Sequence, residues 1–419
     1  MVVGMLAAVG LLAAASLGTL SLVNLLQGAT RVSAQGFGGH EDALDQVSAC
    51  CRFEILKWEA AQVTRFALTL ALVPPLQKVE DEDLATVRRF FSLTRDIARA
   101  DFDLNREGAG AQRASLAERL GVLKDQQERL RPKTERVIAA LVTGKLQESG
   151  LSKPMILRPD LVWPPVAFTM QRPPSVLVVS PRSEIKQERL WVLEPGLTDA
   201  QVEHLEKDAE ALGWSSIVEP TGGYSTYPTI ISNTSGQSFA VNSAAHEWSH
   251  TYLFFKPLGG NYFKSREMRS INETVADIIG RETSAAVMQQ YFPASPPQGG
   301  SDGAAPVFDF RSEMRETRLE AERLLARGDV AAAEAYMEER RHLFVQQGYN
   351  IRRLNQAYFA FHGAYADSPG SVSPIGPQLD ALFQKTGSLQ AFVAAIEDVA
   401  SFDEYIGLLR NYGIQEVTP

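Results

Sequence analysis

Two histidines and a glutamate fall within one pentad of the sequence, His246-Glu247-Trp248-Ser249-His250. On a helix, residues four positions apart lie on one face, which would place the two imidazoles one turn apart. Neutral imidazoles at this spacing can share one Zn²⁺ ion. The carboxylate between them would be close enough to take a proton from a water that the ion activates. The pentad therefore predicts a zinc site with Glu247 as its general base.

A catalytic zinc site has three protein ligands and leaves one position open for water. The metzincin continuation of the pentad, which needs a glycine and a third histidine, is excluded because Leu253 and Lys256 stand at those positions. Glu273 is the best candidate for the third ligand. Asp277 follows four residues later, so a helix would place both carboxylates on one face. Asp277 would then accept the N–H of a ligand histidine and fix its tautomer.

Two other acids compete for the position of third ligand. Glu267 and Glu282 lie in the same segment, but neither has an acid four residues onward. Asn272, which directly precedes Glu273, is expected to form a hydrogen bond that supports the site.

Hydrophobic periodicity predicts a predominantly helical α+β fold that carries these motifs on two long helices. The first helix starts near Ser238 and includes His250, and the second runs from Lys264 to Phe292. Strands are expected before them, at Ser175–Ser180, Arg189–Leu193, Ile217–Val218 and Thr226–Ser232, with a helix over Thr198–Leu212.

The chain has 419 residues, too many for one ordinary core, so we expect several regions. Residues 42–150 are expected to be helical, and a proline-rich linker follows at 153–174. A catalytic core is expected at 174–292, a flexible loop at 293–306 and a helical C-terminal part of the catalytic domain at 307–419.

The N-terminal 30 residues carry no charged side chain, and residues 2–26 are almost continuously apolar. A helix of this length can span a bilayer, so residues 1–34 are expected to be a signal anchor or a signal peptide. Val32-Ser33-Ala34 resembles a cleavage site, but the long apolar run favours an anchor. The protein is therefore expected to be membrane-anchored with an extracytoplasmic catalytic domain, or secreted if this segment is removed.

Charge and cysteine usage narrow the possible partners. The formal net charge is −9 and basic residues are not clustered, which argues against nucleic acid as a partner. Cys50 and Cys51 are the only cysteines, too few for a cysteine-based zinc site. Because adjacent cysteines rarely bridge each other, we expect two thiols on a helix or a bridge to a second chain.

The motif H-E-W-S-H followed by N-E-T-V-A-D, within residues 238–280, resembles the gluzincin group of zinc metallopeptidases. The resemblance implies one zinc ion held by His246, His250 and Glu273, with Asp277 supporting the ligands. It implies that Glu247 acts as general base and then returns the proton to the leaving amine of a peptide or protein substrate. It also implies a mixed sheet before the first helix, whose edge strand, expected within residues 224–232, pairs with the substrate.

The oxyanion of the tetrahedral intermediate needs a further hydrogen-bond donor. The resemblance implies a tyrosine or histidine from the helical C-terminal region, where Tyr358, His362 and Tyr365 lie at near-helical spacing. His362 and Tyr365 are the candidates, although packing or surface roles are open for each.

Two other functions are compatible with these residues. The chain could be a zinc hydrolase that acts on a substrate other than a peptide, or a catalytically silent, membrane-associated scaffold that keeps zinc for its structure. The intact Glu247 disfavours the scaffold, because a structural zinc site needs no base. The sequence does not determine the oligomeric state.

Overall fold

The computed structural model describes residues 40–72, 76, 78–105, 112–152, 154–155, 158–293, 308–363, 371 and 373–415. The expected anchor or signal segment at residues 1–34 and nearly all of the expected loop at 293–306 lie outside these residues. Among the described helices, none combines the length and the hydropathy that crossing a bilayer requires.

The described residues form a mostly helical α+β fold, as the sequence predicts. The helices are α1 (His40–Ala49), α2 (Ile55–Leu72), α3 (Asp81–Asn105), α4 (Arg113–Glu148), α5 (Asp199–Ala211), α6 (Gln237–Phe254), α7 (Pro257–Gly260), α8 (Arg266–Tyr291), α9 (Phe310–Ala326), α10 (Val330–Gln346), α11 (Gln356–His362), α12 (Ile375–Thr386), α13 (Leu389–Ile396) and α14 (Phe402–Asn411). The strands are β1 (Pro154–Met155), β2 (Arg158–Val162), β3 (Phe168–Gln171), β4 (Ser175–Pro181), β5 (Arg189–Leu193), β6 (Trp214–Pro220), β7 (Gly223–Tyr224) and β8 (Thr229–Ser232).

Helices α3 and α4 pack against each other and against the helices that carry the two motifs. Their buried side chains, among them Phe90 and Val137, join those of α6, α8 and α12–α14 in one continuous apolar cluster. Burying a large apolar side chain of this kind stabilises the fold by about 1.5–3 kcal/mol. The domain boundaries expected from the sequence stay predictions.

Strand β4 is the centre of an antiparallel sheet with the order β5-β4-β6. Its alternating side chains pack on both faces: Leu177 contacts the cluster that includes Leu205 of α5, and Val178 packs with Ala357 of α11. Helix α5 begins at Thr198, whose hydroxyl accepts the N–H of Gln201 in a capping box.

A second sheet, with the order β3-β8-β7, leads into helix α6. Strand β3 is parallel to β8 and lies within the stretch 153–174, so our interpretation of that stretch as a linker is wrong. The prolines in this stretch led us to miss a short strand. Helix α4 fixes its position, because Glu135 accepts the N–H of Met170 at 2.6 Å. Of the expected edge strand at 224–232, only Tyr224 is at the edge, because β8 is central.

Helices α6 and α8 approach each other closely at Gly280. A Cβ atom at this position would lie 3.0 Å from the carbonyl oxygen of Asn242 and 3.2 Å from Cβ of His246. The missing side chain therefore lets α8 approach the turn of α6 that carries the first motif histidine.

The two cysteines differ from the expectation. Helix α1 ends at Ala49, and the turn after it brings Cys50 and Cys51 together as a disulfide between neighbouring residues. Our prediction of two thiols or an interchain bridge is wrong because these residues lie in a turn and not on a helix.

Candidate metal centre

Helix α6 presents the motif residues on the side that faces α8. His246 and His250 are one turn apart, and their Nε2 atoms lie 3.0 Å from each other. The indole of Trp248 points away from them and donates its N–H to the carbonyl of Pro164 at 2.7 Å. This contact fixes the rotation of α6 against the loop before β3.

Helix α8 supplies the third side chain of the cluster. Oε2 of Glu273 lies 3.6 Å from Nε2 of His246 and 3.4 Å from Nε2 of His250. One donor atom from each of these residues falls within 4.8 Å of the others, a spacing that could hold a metal ion. Neither Glu267 nor Glu282 is in the cluster, and Glu282 lies beside Arg281 at the surface.

Each side chain of the cluster has its own outer hydrogen-bond partner. Nδ1 of His246 lies 2.9 Å from Oδ1 of Asp277, and Nδ1 of His250 lies 2.8 Å from Oδ1 of Asn272. The phenol of Tyr262 donates to Oε1 of Glu273.

These outer contacts determine which atoms face inward. Because the Asp277 carboxylate accepts at Nδ1 of His246, a neutral imidazole there carries its proton on Nδ1 and has a lone pair on Nε2. The same tautomer at His250 satisfies Asn272. Two lone pairs then meet across 3.0 Å beside the Glu273 carboxylate, and these atoms repel one another unless a proton or a metal cation lies between them. Two imidazole nitrogens and a carboxylate oxygen suit zinc, so the residues present fit such an ion.

The pKa values of the three side chains also favour positive charge between them: those of the histidines are raised and that of Glu273 is lowered. Burial lowers the pKa of His246, but hydrogen bonds to Asp277 and Glu273 outweigh it and hold this pKa well above its ordinary range. Burial likewise lowers the pKa of His250, but the charge of Glu273, its hydrogen bond and the charge of Glu247 together raise it above its ordinary value. Burial raises the pKa of Glu273, yet the two histidines bring it well below its ordinary range.

Glu247 lies beside the cluster without taking part in it. Only 9 % of the residue is exposed, and within the described residues its carboxylate forms no hydrogen bond or ion pair. A Cβ atom on Gly223 of edge strand β7 would lie 3.0 Å from Oε1 of Glu247. The carboxylate therefore faces β7. Burial, and then the charges of Glu59 and Glu247, raise the pKa of Tyr224 on the same strand.

The candidates for an oxyanion donor lie on a different element. Helix α11 begins after Asn355, whose side chain accepts the N–H of Tyr358. It ends at His362 and packs on β4 and β6. Burial lowers the pKa of His362 to about 4, and its buried Nε2 atom has no hydrogen-bond partner in the described part of the chain. Tyr365 lies outside the described residues, so an oxyanion role for either residue stays a prediction.

Sequence reasoning missed Tyr262 and Gly223. Tyr262 lies in the connection between α7 and α8, where no spacing rule relates it to Glu273. Gly223 belongs to a strand of only two residues. The only sequence signal for Tyr262 was that a tyrosine stands ten residues before the N-E-x-x-x-D motif.

The carboxylate of Glu247 therefore lies next to three side chains that could hold a metal and next to β7, the last strand of its sheet. Such an arrangement can bind a divalent ion and accept a proton beside it. A scan against models of known protein families, a search of curated proteins and a search of solved structures found no match to this chain.

Proposed function

We propose that this protein is a zinc-dependent peptidase of the gluzincin type, in which His246, His250 and Glu273 hold the metal. The proposal is supported by the donor set, by the outer partners of all three side chains and by the motif resemblance.

The observation that carries the proposal is the contrast between two buried glutamates. Both oxygens of Glu273 are occupied, by Tyr262 on one side and by the histidine pair on the other. The carboxylate of Glu247, which directly follows His246 and precedes His250 by three residues, has no such partners among the described residues. A purely structural metal site gives no reason to hold an unpaired carboxylate beside its ligands. A general base needs one.

When bound, zinc supplies Lewis acidity, which polarises the scissile carbonyl and makes a water easier to deprotonate. Glu247 accepts the proton of the attacking water and then donates it to the leaving nitrogen. Asp277 and Asn272 keep the Nδ1 atoms protonated, so the Nε2 atoms remain ligands throughout.

The strand edge supports an extended peptide as the substrate. Among the described strands, β7 pairs with β8 alone, so its outer side could receive a segment of substrate through main-chain hydrogen bonds. Because Gly223 has no side chain, substrate backbone can approach Glu247 at this point. The proposal also includes a membrane anchor or signal segment at residues 1–34, because this segment is strongly apolar. The catalytic domain would then be extracytoplasmic, or secreted if the segment is removed.

The decisive experiment combines metal content with cleavage of a mixed peptide library, using wild type, Glu247→Gln and the control Glu267→Gln. We expect about one zinc per chain in all three proteins. Cleavage should fall at least about 100-fold in Glu247→Gln alone, the usual contribution of a general base.

Three results would contradict the proposal in different ways. Absence of bound zinc in wild type would remove the metal site itself. Zinc without cleavage of peptides would favour either the scaffold or, if a panel of esters is cut, a hydrolase with another substrate. Full activity in Glu247→Gln would remove this residue as the base.

A further inference from the structure

Tyr262 is placed to control how Glu273 meets a metal. Its backbone N–H donates to the carbonyl of Gly259 at 3.1 Å, which closes the turn after α7. Its ring stands edge-on to the imidazole of His250, with centroids 6.3 Å apart, and the guanidinium carbon of Arg269 lies 5.7 Å from the ring centre. The backbone hydrogen bond and the two ring contacts therefore orient the phenol, which donates to Oε1 of Glu273.

We propose that Tyr262 is a positioning residue that restricts Glu273 to a single metal-binding oxygen, Oε2. The inference rests on the proposed metal site and adds a residue that the motifs do not contain.

The two oxygens of Glu273 have different surroundings. Oε2 lies 3.4–3.6 Å from the two Nε2 atoms and so belongs to the cluster. Oε1 accepts the phenol hydrogen and is turned toward the α7–α8 connection. To bind a metal through both oxygens, the carboxylate would have to turn Oε1 toward the two histidines, which lengthens or breaks this hydrogen bond inside a buried site, where an unpaired hydroxyl is costly.

Binding through one oxygen has a chemical consequence. With three single-atom ligands, a tetrahedral ion keeps its fourth position for water or substrate. A carboxylate that binds through both oxygens would occupy part of that position. Tyr262 thus preserves an open coordination site while it also orients the ligand.

The test is Tyr262→Phe, which removes the hydroxyl and keeps the ring. The matched control is Tyr252→Phe, because Tyr252 also donates to a carboxylate, that of Glu397, at 2.6 Å and away from the cluster. Zinc affinity is measured by chelator competition, and the visible absorption spectrum is recorded after loading each protein with Co²⁺.

We expect zinc affinity to fall about 10- to 100-fold in Tyr262→Phe, the usual effect of losing a partner of a ligand. The Co²⁺ absorption should weaken, as it does when a four-coordinate ion gains a fifth donor. Tyr252→Phe should match wild type in both measurements. The metal-free Tyr262→Phe protein should unfold at a somewhat lower temperature than metal-free wild type, because Oε1 of Glu273 loses its donor. The cobalt spectrum separates this loss of stability from a change in ligation.

Two outcomes overturn the inference while the proposed function survives. One is wild-type affinity and an unchanged cobalt spectrum in Tyr262→Phe. The other is a lower affinity that comes with an unchanged spectrum and an equal loss of metal-free stability, which would indicate only general loosening. If wild type itself binds no stoichiometric metal, the proposed function fails, and this inference fails with it.

Discussion

Nδ1 of His246 lies 2.9 Å from the carboxylate of Asp277, although the two residues belong to different helices. The contact spans the interface where Gly280 lets α6 and α8 approach. The tautomer of His246 therefore depends on how α6 packs against α8.

Replacing Asp277 with alanine should weaken zinc binding about 10- to 100-fold, because Nδ1 of His246 loses its acceptor and the ring its orientation. Asp277→Asn should lose much less zinc affinity, because an amide oxygen can accept the same hydrogen bond. The amide oxygen of Asn272 already lies beside Nδ1 of His250 in this way. Isothermal titration or chelator competition would measure both, with Glu267→Gln as the control. Equal affinity in wild type and Asp277→Ala would show that this contact does not orient the ligand.

Gly223→Ala should reduce peptide cleavage about 10- to 100-fold while zinc content stays constant. The new methyl group would lie 3.0 Å from Oε1 of Glu247 and 3.2 Å from the carbonyl of Ile230, which displaces the base by a few tenths of an ångström or more. Gly121→Ala is the control, because its Cβ would have no neighbour within 4 Å. Unimpaired kcat/KM in Gly223→Ala would contradict the placement of the base against β7.

Gly280→Ala should lower the free energy of unfolding by about 1–3 kcal/mol, because an added methyl group overpacks the α6–α8 contact. Zinc affinity should fall with it, since His246 is one of the groups displaced. Urea unfolding of the metal-free protein measures the first effect. Gly144→Ala, in a helix with open space at that position, should instead stabilise the protein by about 0.5–1 kcal/mol. A neutral effect at Gly280 would mean that the helices have room to separate.

Glu59 of α2 should make stability depend on pH. It is only 4 % exposed, and Oε1 accepts the N–H of Tyr227 at 3.0 Å while Oε2 has no partner. Burial raises its pKa from 4.5 to about 7, more than the Tyr227 hydrogen bond lowers it. Between these two pH values the folded protein therefore holds a proton that the unfolded chain has released. The free energy of unfolding should fall as pH rises through this window.

Glu59→Gln removes this charge and keeps the acceptor for Tyr227. At pH 8 the variant should be more stable than wild type by a difference on the order of 3 kcal/mol, and the difference should vanish near pH 4. Urea unfolding at several pH values measures it. Glu54→Gln, whose glutamate is exposed, is the control. A constant difference between pH 4 and pH 8 would show that Glu59 titrates normally in the folded protein.

The sequence alone predicted the two long helices and the residues they carry, because the helical repeat relates His246 to His250 and Glu273 to Asp277 without any tertiary information. It also predicted the α3–α4 region as helical and the strands β4 and β5, where apolar periodicity is strong. Short elements in proline-rich sequence were different. Strand β3 is held by Glu135 of a distant helix, and no local pattern contains that contact.

What only the tertiary structure decided is how the two motifs meet. The distance between Glu273 and the histidines depends on a glycine that lets two helices touch, and the occupation of Oε1 depends on a tyrosine in an irregular connection. The position of the Glu247 carboxylate likewise depends on Gly223 of β7, where a side chain would collide with it. Helical spacing fixes relations within one element, whereas these relations join separate elements and arise only when the chain packs.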